Sequence, residues 1–281
     1  MSTATARRID LGTRLQIAAL SDTGRRRNHN EDRVGSDVTR GIAVLADGMG
    51  GHKGGEVASG LAVETLLAEL VDNLEHLDDT DDDAEGFTAE SALARRLIER
   101  SNAIIHDTAK NQPQYEGMGT TLALALFYDD RLTIAHVGDS RVYRLRDDRL
   151  EQITRDHTLL QELVDRGFYT PEEARASLNR NIVTRALGIE AEVKVDVQED
   201  IALPGDIYLL CSDGLNDMVD DAAIRLTLAG IGDNLETVAR SLVDQANENG
   251  GTDNISVVLV RVLKPFPSRR SWFQRFADWF Q

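Results

Sequence analysis

Three apolar runs in this chain each stop on an aspartate. Ile42-Ala-Val-Leu-Ala leads into Asp47-Gly48, Thr133-Ile-Ala-His-Val-Gly into Asp139, and Ile207-Tyr-Leu-Leu-Cys-Ser into Asp213-Gly214. A fourth aspartate, Asp253, opens the run Ile255–Val262. Short runs rich in β-branched residues read as strands. The pattern therefore puts three acids at strand C-terminal ends and one at a strand start. In an antiparallel arrangement those ends share one edge of the fold. Four carboxylates there repel one another unless cations neutralise them. An all-oxygen set without paired His or Cys suits Mg²⁺ or Mn²⁺. Two such ions roughly 3.5–4 Å apart activate water and polarise a phosphoryl group. The competing reading of each Asp-Gly pair is a plain turn.

Further strands are expected over 15–20, 41–46, 120–128, 132–137, 141–145 and 207–211. Helices are expected over 61–70 and 92–105. A third is marked by Leu235, Val238, Ala239, Leu242, Val243 and Ala246, which form one apolar helical face. Two helices followed by three successive strands argue for segregated α+β layers. The short turn Tyr128-Asp-Asp-Arg131 favours antiparallel pairing. No Pro-rich linker splits the 281 residues. Residues 1–13 read as a loose arm, and 72–90, with nine acids and no Lys or Arg, as a solvated loop without the EF-hand spacing.

A formal net charge of −17 argues against a nucleic-acid partner. One cysteine, Cys211, excludes a disulfide framework and multi-cysteine metal sites. Inside an apolar run it reads as a small buried hydrophobe. The start lacks a signal-peptide stretch and no run of eighteen apolar residues exists, so a cytoplasmic protein is expected. The glycine cluster 48–55 fits neither nucleotide-loop pattern. Its glycines let backbone approach a metal, with the Gly48 carbonyl as a ligand. Arg25, Arg26 and Arg27 stand out in so acidic a chain. One guanidinium beside a metal pair would hold a phosphate bidentately, and the other two read as solvated. Glu31-Asp32, taken alone, reads as a solvated turn. His136 reads as a core residue; His52 and His157 lie near the proposed site as candidate proton carriers.

Seven stretches together carry a family resemblance. They are Arg27-Asn-His-Asn-Glu-Asp32, Ala46-Asp-Gly-Met-Gly-Gly-His52, Gly119-Thr-Thr121, His136-Val-Gly-Asp-Ser-Arg141, Ile153-Thr-Arg-Asp-His-Thr158, Leu210-Cys-Ser-Asp-Gly-Leu215 and Gly251-Thr-Asp-Asn-Ile-Ser256. In that order, over about residues 14–263, the chain resembles a bacterial metal-dependent protein phosphatase of the 2C type. The resemblance implies a four-layer α-β-β-α sandwich with two central antiparallel sheets flanked by helix pairs. It implies a dinuclear Mn²⁺/Mg²⁺ centre held by Asp47, the Gly48 carbonyl, Asp213 and Asp253, with Asp47 bridging. Asp139 then matches a ligand, shared with Asp213, of a third and weaker ion. Glu31 and Asp32 match acids that hold metal-bound waters. Arg27 matches the substrate-phosphate arginine, and about residues 158–184 match a flap beside the site. Met49 stands where some relatives carry a His after Asp-Gly, which leaves the general acid open.

The expected activity is hydrolysis of phosphoserine and phosphothreonine in proteins, with a bacterial Ser/Thr kinase and its targets as partners. A phosphoprotein-binding module without turnover and a small-molecule phosphomonoesterase are the alternatives. A monomer is expected. Residues 264–281 lie beyond the match and place Trp272, Phe273, Phe276, Trp279 and Phe280 on one helical face near Arg269, Arg270 and Arg275. That face packs on the body of the protein or docks to a partner or membrane surface.

Overall fold

A computed structural model describes residues 10–51, 53–77, 86–170, 173, 182–230, 232 and 234–266. The loose arm, most of the acidic stretch, His52, the middle of the flap and the aromatic tail lie outside them.

Period-two alternation builds two sheets that are buried on both faces. The strands are β1 (Leu15–Asp22), β2 (Asp32–Asp37), β3 (Ile42–Met49), β4 (Gly119–Thr120), β5 (Leu122–Tyr128), β6 (Arg131–Val137), β7 (Arg141–Arg146), β8 (Arg149–Gln152), β9 (Asp196–Ile201), β10 (Ile207–Cys211) and β11 (Ile255–Val262). One sheet has the order β1-β11-β10-β7-β8; the other runs β2-β3-β5-β6-β9, with β4 paired to β3. Every pairing is antiparallel.

The alternation sorts side chains into three cores. Ala43 and Leu45 of β3, Ala123, Ala125 and Phe127 of β5, Tyr208 and Leu210 of β10, and Val258 and Val260 of β11 fill the space between the sheets. The other face of β3 and β5 (Ile42, Val44, Leu122, Leu124) packs on α1 (Gly54–Leu74) and α2 (Ala89–Asn111). The other face of β10 and β11 (Leu209, Cys211, Val257, Leu259) packs on α5 (Asp221–Gly230) and α6 (Leu235–Glu248). The result is helix pair, sheet, sheet, helix pair. The expected four-layer α+β sandwich is the observed fold.

Local chemistry sets the connections. Asp129-Asp130 and Asp147-Asp148 have φ of 42°, 63°, 50° and 62°. Two consecutive left-handed residues make a turn whose twist matches that of the strands it joins, and these two turns close β5–β6 and β7–β8. Thr88 caps α2 by accepting from the Ser91 amide, and Asn234 caps α6 by accepting from Thr237. Phe266 is 5 % exposed and stands edge-on to Phe127 with centroids 6.3 Å apart, so the inter-sheet core reaches past residue 263.

The structure adds elements that the strand and helix patterns do not announce. These are β2, β8, β9, α5, α3 (Leu159–Asp165) and the single turn α4 (Asp213–Asn216). Asp72 belongs to α1 rather than to a loop.

Candidate metal centre

Both sheets send an acid-bearing strand end to the same edge. In the β2–β3 register Asp32 stands opposite Asp47. Asp47 is fixed through its backbone: its N–H donates to Thr121 Oγ1 at 3.0 Å, and its carbonyl accepts from the Thr121 amide and Thr120 Oγ1, each at 2.8 Å. Asp213 opens α4 directly after β10, and Asp253 precedes β11, which pairs with β10. Asn254 joins the two sheets here. Its Oδ1 accepts from the Glu31 amide at 2.8 Å, and its Nδ2 donates to the Thr23 and His29 carbonyls. Asp139 follows β6 and is 7 % exposed. Together with Asp213 it walls a cleft of about 850 Å³ that runs past Arg141, Asp156, Thr158 and Met218.

Gly48 has no room for a side chain. A Cβ there would meet the Gly55 carbonyl oxygen at 2.1 Å and the Glu31 oxygen at 2.6 Å. The bare backbone thus brings strand β3, the start of α1 and the Glu31 loop into one contact, closed by Gly48 N–H donating to Glu31 O at 3.1 Å.

Asp32 is buried, not a solvated turn residue. Its Oδ2 accepts from Ser212 Oγ at 2.8 Å, while its Oδ1 is closed to solvent without a hydrogen-bond partner among the described residues. Asp213 Oδ1 is in the same state. Burial pushes Asp32 and Asp139 up to about 6. Burial, then the other carboxylates, holds Asp47 and Asp213 well above the ordinary range. Burial also raises Glu31.

Arg27 reaches this group, but its partner is Asp253: Nη2 donates to Oδ2 at 2.7 Å. Arg25 and Arg26 are exposed. No three of the site aspartates bring one oxygen each within 4.8 Å of one another. They repel, and Arg27 draws Asp253 to its own side. The donor set nonetheless fits hard cations: it is all oxygen, it is rich in carboxylates that burial keeps from being ionised cheaply, and two of its oxygens lack any partner.

Among the described residues one triad does meet that spacing, namely His136, His157 and Asp196. A cation already stands there, because Arg185 Nη1 lies 2.9 Å from His157 Nε2 and 2.8 Å from Asp196 Oδ1. Burial, followed by the stacked His136, pushes His157 down to about 4, so its ring is neutral and enclosed. Both ring nitrogens of His157 are already engaged, Nδ1 by the Gly138 amide and Nε2 by Asp196.

Comparison with known proteins decides the family. The protein phosphatase 2C description matches residues 23–249.

The chain belongs to the protein phosphatase 2C family.

A relative from Mycobacterium tuberculosis, serine/threonine protein phosphatase PstP, is 43 % identical over 250 residues, covering 89 % of this chain and 45 % of that one. The chain thus spans about half the length of that relative. Protein phosphatase PhpP of Streptococcus pneumoniae is 37 % identical over 252 residues, covering 88 % of this chain and 97 % of its own. The structure of the PstP catalytic domain in complex with two manganese ions superposes with a TM-score of 0.72 at 42 % identity, covering 89 % of this chain and 99 % of that one.

Thr121, Ser212, Asn254 and Ser59, whose hydroxyl donates to Glu31 O at 2.6 Å, hold the backbone and carboxylates of the candidate site in place. Thr121, Ser212 and Asn254 lie inside the quoted motifs, yet each acts across a gap in sequence that spacing alone does not reveal.

Proposed function

We propose that this chain hydrolyses phosphoserine and phosphothreonine esters in proteins at a dinuclear Mn²⁺ or Mg²⁺ centre, with a third, weaker ion beside Asp139. The observation that carries the reading is the pair of partnerless oxygens on Asp32 and Asp213, set among repelling carboxylates. A family relative of 42 % identity has been solved with two manganese ions. Asp47, the Gly48 carbonyl, Asp213 and Asp253 would hold the ions. Bound there, they would lower the pKa of water and offset charge on the phosphoryl group.

The chain's own groups do the rest. Glu31 and Asp32 sit behind the ligands, where carboxylates orient water. Asp32 is itself oriented by Ser212. Arg27, half exposed at the rim, would be free for a phosphate with Asp253 engaged by a cation, and a guanidinium matches two phosphate oxygens. Among the described residues no side chain is set up as a nucleophile. Cys211 is buried, its thiol pushed up to about 12. Ser212 donates its proton to Asp32, and Thr120 donates to the Asp47 carbonyl. Direct attack by water therefore fits better than a phosphoenzyme.

The substrates are phosphoproteins, with a bacterial Ser/Thr kinase and its targets as natural partners, and the chain acts as a monomer in the cytoplasm. No described helix is long and apolar enough to cross a membrane.

The test is turnover of a phosphothreonine peptide with Mn²⁺, with Mg²⁺ and with EDTA. Activity with either ion and its loss in chelator is expected. Peptide turnover indifferent to EDTA, or none with any ion, would overturn the reading.

A further inference from the structure

Beside the site, one imidazole holds together three pieces of chain that sequence keeps apart. The His157 N–H donates to the Gly138 carbonyl at 2.9 Å, and the Gly138 N–H donates back to His157 Nδ1 at 3.0 Å. The ring thus completes a two-way bond with the residue before Asp139. The His157 carbonyl accepts from the Thr184 amide at 2.8 Å, and one residue on, the Leu159 amide donates to Ile182 O at 2.9 Å. Thr158 pairs with Val183 as a single β-bridge, and its side chain caps α3. Both roots of the 158–184 segment therefore meet at His157. At its far edge, Nε2 lies 3.2 Å from Asp196 Oδ2 and 2.9 Å from Arg185 Nη1. His136 stacks beneath with ring centroids 4.6 Å apart and is pinned in turn by its Nε2 at 2.8 Å from Arg155 O.

Nδ1 accepts from a backbone N–H, so the proton of the neutral ring sits on Nε2, facing Asp196. Each nitrogen has a separate task. Nδ1 sets the Gly138–Asp139 turn, which is tight: Gly138 has φ 103°, and a Cβ there would meet Thr121 Cγ2 at 2.6 Å. Nε2 ties that turn to Asp196 of β9, whose other oxygen accepts from Arg185 Nη1 of the returning root at 2.8 Å. The contacts run from Thr121, which fixes Asp47, through Gly138 to the segment that walls the cleft with Thr158 and Leu160.

We propose that His157 is a positioning residue that clasps both roots of the 158–184 segment to the Gly138–Asp139 turn, so that the cleft wall and the Asp139 carboxylate keep one fixed relation. The clasp itself stands on geometry. Its consequence for peptide substrates rests on the phosphatase reading above.

The two tasks separate in variants. In Asn, Oδ1 occupies the place of Nδ1; in Gln, the terminal amide reaches the place of Nε2. His157→Ala, His157→Asn and His157→Gln are compared with wild type by amide hydrogen exchange without metal. They are also compared by KM and kcat on a phosphothreonine peptide and on p-nitrophenyl phosphate with Mn²⁺. In His157→Ala, exchange at Gly138 and Leu159 should quicken at least tenfold while amides of β5 and β11 stay protected. KM for the peptide should rise about tenfold, and that for p-nitrophenyl phosphate, too small to span the cleft, by less than twofold. His157→Asn should restore protection at Gly138 and most of the peptide KM; His157→Gln should restore neither. Unchanged exchange at Gly138 in His157→Ala overturns the clasp. So does a uniform loss of protection across the sheets, or equal KM changes on both substrates. If His157→Ala does not fold, the order of Asn and Gln decides, and Gln closer to wild type overturns it. A wild type inactive on both substrates would instead sink the phosphatase reading and leave the exchange result standing.

Discussion

A buried aspartate without a counter-charge costs the folded state, and this chain concentrates several at one edge. Asp32 and Asp139 lie near 6 in the fold against an ordinary value near 3.8. Between those limits the unfolded chain releases its protons and the folded one does not. The stability that the protonated forms contribute is therefore full below about pH 4 and lost as pH rises through about 6, on the order of 3 kcal/mol for a shift of about two units. Ion-free protein should show this as a melting temperature that falls over that window, and saturating Mn²⁺ should abolish the fall. A metal-free melting curve that instead climbs from pH 4 to 6 would show that these acids are not strained. Asp213→Asn should raise the ion-free melting temperature, because it removes a charge from the repelling set. The same change should cut phosphopeptide turnover by about 10²-fold or more. Asp32→Asn, one step further from the ions, should cost about 10–100-fold while leaving the fold intact.

At the scale of elements, the approach of β3 to α1 is the constraint to probe. Gly48→Ala forces a Cβ into the Gly55 carbonyl, and backbone cannot yield as a side chain does. A loss of about 2–4 kcal/mol in urea unfolding is expected, with ion binding weakened as well. A neutral result would mean that β3 and α1 slide apart freely. The elements themselves were unequally legible. Strands buried on both faces, such as β5 and β10, announce themselves as unbroken apolar runs. β2, β8 and β9 do not: Asp32-Arg-Val-Gly-Ser-Asp and Asp196-Val-Gln-Glu-Asp-Ile are half-buried and become strands only because a neighbour offers its ladder. The same limit governs the site. Asp47, Asp139, Asp213 and Asp253 could be placed at one edge from strand ends alone. Asp32 looked like a turn residue because the Ser212 hydroxyl that orients it lies 180 positions away. The salt bridge of Arg27 to Asp253 spans 226 positions and was equally hidden.

For the whole molecule, the proposed ions would act as a brace between layers. Asp47 belongs to one sheet, and Asp213 and Asp253 flank strands β10 and β11 of the other, so binding should stabilise the sandwich as a unit. At a hundredfold excess of ion over its dissociation constant the gain is about 2.7 kcal/mol, a shift of a few degrees in a calorimetric melt. Absence of any shift with Mn²⁺ would place the ions elsewhere. Strand β11 carries a different consequence. It lies between β1 and β10, and Leu15 pairs with Val262, so the middle of one sheet is filled by the latest in chain order of the described strands. A nascent chain halted before residue 253 has no Asp253 and two strands with no partner between them. That sheet cannot close until residues 255–262 have been made, and until then its apolar strands lack the partner that shields them.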